Sequence, residues 1–281
     1  MIAAARNGLD KMLEGLNPDH VEEQRKINVE TSAISAVYEK FQKSAETPHE
    51  YHFTAFDSIG LEWLTDVLPP ELISQLWQVI SSERDDLSPH FLNRLIQNSY
   101  DAGYNDFVVD VRETSPPQHI GRCLQGTATR KLELAVMGNL GFMNGSNMRY
   151  VNYCVDGKVG YSFGYHAQHS SLIVDEATNW FGEETTDCTL IARRDGGFLT
   201  ASRAERATVI IHGEISSGTL IINGQNKATY CSCGEEAVYS TFKTSNAANL
   251  EKLMRVPENN KIIFIEENGT EKIIRDCAET P

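Results

Sequence analysis

Short apolar runs recur along the middle of the chain: LELAV, VNYCV, SLIV, TLIA, TVII and TLII. The closing residues of the first five, Val136, Val155, Val174, Ala192 and Ile211, lie 19, 19, 18 and 19 residues apart. A fixed period in this range is the mark of a solenoid. A second landmark keeps step. Leu140-Gly141 is followed by Gly145, Val159-Gly160 by Gly164, and Ile120-Gly121 by Gly126, while Phe181-Gly182 and Phe198-Leu199 hold the same place without the second glycine. Glycines this frequent cost about 1 kcal/mol each inside a helix, but they supply the positive φ that tight corners need. The predicted fold is mainly β: a right-handed parallel β-helix of about 19-residue coils. Ile173, Leu190 and Ile210 are expected inside, each stacked roughly 4.8 Å from its equivalents.

The flanks follow other patterns. Asn17-Pro18, Pro69-Pro70 and Ser88-Pro89 are helix starts. Three apolar stripes are expected on helices: Ile34, Val37, Tyr38 and Phe41; then Leu72, Leu76, Val79 and Ile80; then Leu92, Leu95, Ile96 and Tyr100. Gly103 suits a helix end, and FVVDV from Phe107 reads as the first strand. After the repeats, TSNAANLEKLMRV reads as a helix with Ser245 as N-cap. Asn268-Gly269 between alternating runs predicts a hairpin. The expected organisation is a helical capping and possible oligomerisation region over 1–105, the β-helix over 106–236, and a helix-plus-hairpin cap over 237–281.

A phosphate-binding loop is the rival reading of MGNLGFMNG. Its glycine spacing differs from G-x-G-x-x-G, and the strand-like NMRYVNYCVDG follows where a helix N-terminus would have to receive the phosphate. No cofactor is expected. The formal net charge of −14 argues against nucleic acid and against an anionic membrane surface. No run approaches the length of a membrane-spanning helix, and Arg6 and Asp10 interrupt any signal-peptide core. A cytoplasmic location is expected, and six scattered cysteines agree with it.

Candidate chemistry is sparse. His166 and His169 have the spacing of a metal pair, with Cys154 and Cys188 in flanking coils, although no fourth ligand stands at a known spacing. Surface histidines are the simpler alternative. Cys231-x-Cys233 reads as a strand pair rather than a redox site. Asp156 and Asp175 follow the last apolar residue of successive coils. In register they would stack about 5 Å apart, close enough to raise one pKa and form an acid/base pair. The competing reading makes Asp156-Gly157 a turn and sets Asp175 against Arg193.

The pieces Val159-Gly160-Tyr-Ser-Phe-Gly164 with Leu172 to Asp175, and Leu140-Gly141-Phe-Met-Asn-Gly145 with Val151 to Gly157, resemble the GXGXG-repeat β-helical domain at the C-terminal end of the glutamate synthase large subunit. A similar domain occurs in a non-catalytic component of formylmethanofuran dehydrogenase. The resemblance spans about Ile120 to Gly218. It implies a scaffold between catalytic parts and carries over no catalytic residue. The expected role is a non-catalytic scaffold or assembly protein with a protein partner, and a homodimer is a further expectation. The alternative is an enzyme or enzyme subunit with its site on the β-helix face, either carbohydrate-active or a glutamate-synthase-like oxidoreductase or amidotransferase component.

Overall fold

In a computed structural model, the chain forms a parallel β-solenoid of about six turns with about 19 residues per turn. The structure describes residues 21–45, 61, 63–81, 87–215, 218–222, 225–230, 233–234 and 236–276. Helices α1 (Val21–Ala45), α2 (Pro70–Ile80) and α3 (Ser88–Asp101) precede β1 (Asp106–Asp110). The rungs follow: β2 (Leu132–Met137), β3 (Val151–Val159), β4 (Ser171–Ala177), β5 (Thr189–Ala192) and β6 (Thr208–Ile211). After a hairpin of β7 (Gly218–Ile222) and β8 (Gln225–Tyr230) come β9 (Thr241–Thr244), α4 (Ala248–Leu253), β10 (Lys261–Ile265) and β11 (Glu271–Arg275).

Nine of these strands make one sheet in the order β1-β2-β3-β4-β5-β6-β9-β10-β11, parallel throughout except for the last pair. A second line of parallel bridges, Gln125, Arg149, Gln168, Thr186, Glu205 and Val238, closes another side of each coil. Alternation within a rung sends every second side chain inward. Val136, Val155, Val174, Ala192 and Ile211 stack in register and are buried, as are Leu134, Tyr153, Leu172, Leu190, Val209 and Phe242. Phe163 and Phe181 continue the core from the opposite wall, their rings 6.0 Å apart.

The 19-residue recurrence is the length of one coil, with corrections in detail. Leu190 is inside, but Ile173 and Ile210 are half-buried on the outer face, because Leu172, Val174, Val209 and Ile211 take the inward positions. TLII is no rung of the solenoid. It forms β7, which pairs antiparallel with β8, while β6 pairs directly with β9. Asn223-Gly224 between the two runs is the hairpin signal that the repeat pattern hid. Gly182 aligns with Gly164 rather than with Gly160, and Gly121 aligns with Gly145. In each of Gly121, Gly145, Gly164 and Gly182 φ is positive. A Cβ on Gly164 or Gly182 would stand 2.5 or 2.3 Å from the inward Leu172 or Leu190.

An open coil end exposes unpaired backbone groups, and amide side chains satisfy them here. On α3, Asn93 donates from Nδ2 to the His119 carbonyl (2.7 Å) and accepts from the Gly121 amide (2.8 Å). One turn later, Gln97 does the same for Gln125 (3.0 and 2.8 Å). α2 packs on β1, with Gln78 Nε2 donating to the Asp110 carbonyl (2.6 Å). Ile34, Val37 and Phe41 of α1 are buried in the same core, so the stripe that could have paired with a second chain is covered within this one. Toward the other end, Asn249 serves Ile215 and Gly213, and Asn260 serves Ser240 and Ala237.

Helix ends also differ in detail. Gly103 follows α3 with φ +113° and donates to the Tyr100 carbonyl, as expected. Ser245 does not cap α4. Its hydroxyl bonds the His212 ring and carbonyl, and Asn246 Oδ1 takes the Ala248 amide instead. The hairpin at Asn268-Gly269 joins β10 and β11, with Gly269 at φ +82°. Asn17-Pro18 and Cys231 lie outside the described residues.

Candidate functional site

Several positions of each coil adopt left-handed backbone, and they repeat from coil to coil. One column is Met143, Ser162, Trp180 and Leu199; the next is Gly145, Gly164, Gly182 and Ala201. A third is Asn147, His166, Glu184 and Arg203; a fourth is Tyr150, His169, Asp187 and Arg206. Stacked coils therefore line up side chains that are 18 or 19 residues apart in sequence.

Both candidate histidines fall in these columns, and they are not brought together on one point. His166 Nε2 lies against the Glu184 carboxylate, and His169 Nδ1 is 3.5 Å from Asp187. Each acid is also held by an arginine from the next coil. Arg203 reaches both Glu183 and Glu184, and Arg206 is 2.7 Å from Asp187. The Arg206 hydrogen bond holds the Asp187 carboxyl below its ordinary range, against the opposing effect of burial. A metal ion here would meet a guanidinium on each carboxylate. Among the described residues no group of three or more His, Cys, Asp or Glu side chains could hold a metal. Cys154 stands on the outer face, 3.6 Å from Arg193 Nη2, whereas Cys188 points inward. Burial pushes the Cys188 thiol up to about 11, so it stays protonated at neutral pH.

The two aspartates do not form a carboxylate pair either. The register between β3 and β4 shifts after Val155, and Lys158 comes to lie beside Glu176, to which it is ion-paired. Asp156 is exposed opposite Met137. Asp175 accepts a hydrogen bond from Arg193 (2.9 Å), the simpler of the two arrangements.

Two surface features have no counterpart among the sequence-based expectations. An open groove of about 560 Å³ runs beside these columns, with Tyr165, Trp180, Glu183 and Arg203 among its lining. Burial, then Glu184 and Glu183, raise the Tyr165 hydroxyl above its ordinary value. Tyr161 stands half exposed near Trp180, ring centroids 5.8 Å apart. The second feature is an apolar column on the outer side of the main sheet: Ala135, Cys154, Ile173, Ile191 and Ile210, stacked in register and half-buried. A solvent-facing rung ordinarily alternates to polar residues there. The signal for it in the sequence is the apolar middle residue of SLIV, TLIA and TVII.

His119 titrates in a useful range. It is 8% exposed, its ring stacks on His90 at 5.3 Å, and its Nδ1 has no hydrogen-bond partner. Burial, helped by Arg122, lowers its pKa from 6.5 to about 4. The folded value lies below the unfolded one, so this stability is present above pH 6.5 and is lost as pH falls toward 4. The difference corresponds to roughly 3 kcal/mol at most. Denaturant melts at about pH 7 and about pH 4.5 should show that loss in the wild type. They should show a smaller loss in His119→Asn, a residue that tolerates the positive φ at this position. Equal pH slopes would refute the assignment.

Among the described residues, no helix is long and apolar enough to cross a membrane. Fold and surface together define a β-solenoid protein with a ribbed, charge-paired side and an apolar outer column. No family model matches the chain, and neither does any curated protein or solved structure.

Proposed function

We propose that this chain is a non-catalytic scaffold, a cytoplasmic β-solenoid subunit that holds a partner protein on the outer face of its main sheet. The observation that carries this reading is the apolar column of Cys154, Ile173, Ile191 and Ile210 on a face that would otherwise be polar. Flat apolar strips of this kind fit a protein surface better than a small ligand, which favours a concave pocket with convergent polar groups. The ion pairs among the candidate acids also support it. Asp175, Glu183, Glu184 and Asp187 are each engaged by an arginine, which occupies the carboxylate oxygens a general acid or base would have to present to a substrate. The resemblance to scaffold domains of larger enzymes belongs to the same proposal.

The groove beside Tyr161 and Trp180 favours a second reading, a carbohydrate site, since exposed aromatic rings next to carboxylates suit sugar faces. One experiment separates the two. The tagged full chain purified from its native cells should carry a stoichiometric protein. Ile173→Glu with Ile191→Lys, an opposite-charge pair on neighbouring rungs, should cut that protein more than tenfold and move the melting temperature by no more than a few degrees. A preparation with no bound protein, whose tryptophan fluorescence responds to a polysaccharide and loses that response in Trp180→Ala, would overturn the scaffold reading.

A further inference from the structure

Outward side chains stand two residues apart along a rung, so the outer face of the main sheet carries three columns. The middle column is the apolar one, and the face as a whole sorts charge along the stack. From β1 to β4 its charged residues are acids, among them Asp106, Glu133, Asp156 and Asp175. From β5 to β10 they are basic. Arg193 follows β5, His212 follows β6, Lys243 lies in β9 and Lys261 opens β10.

Part of this charge is met within the chain. Arg193 bonds Asp175 (2.9 Å), and Lys243 and Lys261 reach Glu271 (2.6 Å) and Asp276 (3.1 Å) beyond the last parallel rung. The Arg193 side chain is still 48% exposed. Asp106, Asp156 and His212 are exposed as well.

We propose that the partner on this face is a second copy of the chain, laid face to face about a two-fold axis parallel to the strands, between β4 and β5. The proposal rests on the reading of the outer face as a docking surface. Such an axis keeps each column opposite itself and reverses the order of the rungs. β4 then lies over the partner's β5, β3 over its β6, and β1 over its β10. Asp175 faces the partner's Arg193, Asp156 the partner's His212, and Asp106 the partner's Lys261. Between the charged rows, Ile173 faces the partner's Ile191, and Cys154 the partner's Ile210. No like charges meet.

Charge selects this arrangement over the others. A two-fold axis along the solenoid would set each rung over its own equivalent and swap the outer columns. Asp175 would then lie over the partner's Ser171, Arg193 over the partner's Thr189, and Asp106 over the partner's Asp110. No acid would gain a base. Moving the proposed axis onto β4 or β5 would set Asp175 or Arg193 against itself. Charge pairs of this kind fix register and orientation, while the apolar column supplies the burial. Packed sheets stand about 10 Å apart, a gap that isoleucines from both sides can fill. Eight rungs make the face. At about 4.8 Å per rung and about 17 Å per strand, the pair buries on the order of 1,200 Å². That is the lower end for specific interfaces, so the dimer is reversible and concentration-dependent.

Sedimentation velocity of the full chain over a hundredfold range of concentration tests it. The wild type should pass from monomer to dimer. Asp175→Arg and Arg193→Asp each set like charges against one another twice across the axis. Each should raise the dissociation constant at least tenfold and melt within a few degrees of wild type. Mixed in equal amounts, the two variants should dimerise again, because every pair across the axis is then of opposite charge. Should a reversal melt lower than that, Ile173→Glu and Ile191→Lys give the same mixing test within the apolar column. A monomer at every concentration overturns the proposal, as does a dimer that survives either reversal or a mixture that stays monomeric. Purification from native cells separates this proposal from the docking reading beneath it. The tagged chain should bring down its own untagged copy. A different protein, lost in Ile173→Glu with Ile191→Lys, would overturn the second copy and leave the docking face standing; no bound protein would remove both.

Discussion

Val174→Asp should leave no stably folded protein. Val174 is fully buried in β4, directly between Val155 and Ala192 of the neighbouring rungs. A carboxylate there has apolar neighbours above and below. Burying an unpaired polar group costs several kcal/mol, and a charge more. Domains of this size are stable by about 5–15 kcal/mol in total. Asp175→Ala, one residue on, removes only a partly exposed contact with Arg193. Such pairs contribute about 0–1 kcal/mol. Thermal melts followed by circular dichroism compare the two directly. Val174→Asp should aggregate or show no cooperative transition, and Asp175→Ala should melt within a few degrees of wild type. Equal melting temperatures would mean that the rungs are registered differently.

Gly197→Ala should be nearly as damaging, for a different reason. Gly197 has φ +72°, and a Cβ there would stand 1.7 Å from the Thr178 carbonyl oxygen and 2.4 Å from its carbon. The obstacle is the backbone of the neighbouring coil, so no side chain can swing aside. The left-handed conformation alone costs an alanine about 1–2 kcal/mol, and forced overpacking typically adds about 1–3 kcal/mol or more. The sum is roughly 3 kcal/mol or beyond. Gly269→Ala is the matched control. It also has positive φ, +82°, but nothing lies within 4 Å of the added methyl. Urea denaturation should therefore place Gly197→Ala at least about 2 kcal/mol below Gly269→Ala in stability. Equal losses would show that the coils stand further apart at this corner.

The repeat that makes these two predictions possible is local and periodic. The spacing from Val136 to Ile211 sets coil length, and the polar-apolar alternation of LELAV sets which residues of that rung face inward. SLIV, TLIA and TVII each carry three apolar residues in a row, so parity is ambiguous there. That ambiguity is why the pattern alone sends Ile173 and Ile210 to the core. Only stacking on Tyr153, Leu172 and Leu190 decides that the flanking residues point inward and leave the isoleucines outside.

The candidate site divides in the same way. Sequence spacing puts His166 and His169 at one corner. What each ring faces is a residue from the next coil, Glu184 or Asp187, 18 residues on. The aspartates do not pair, because the register shift after Val155 is a property of two strands lying together. The amide side chains that cap the coil ends, Asn93, Gln97, Asn249 and Asn260, bond backbone groups 20 to 36 positions distant. No local pattern marks them.

Sequence alone determined that this chain is a solenoid of about 19-residue coils with a terminal hairpin, because both follow from interactions between near neighbours and a repeated period. Tertiary structure alone decided which apolar residues remain outside and which acids are paired with arginines. Those outcomes depend on backbone groups and charges that meet only when one coil is laid on the next.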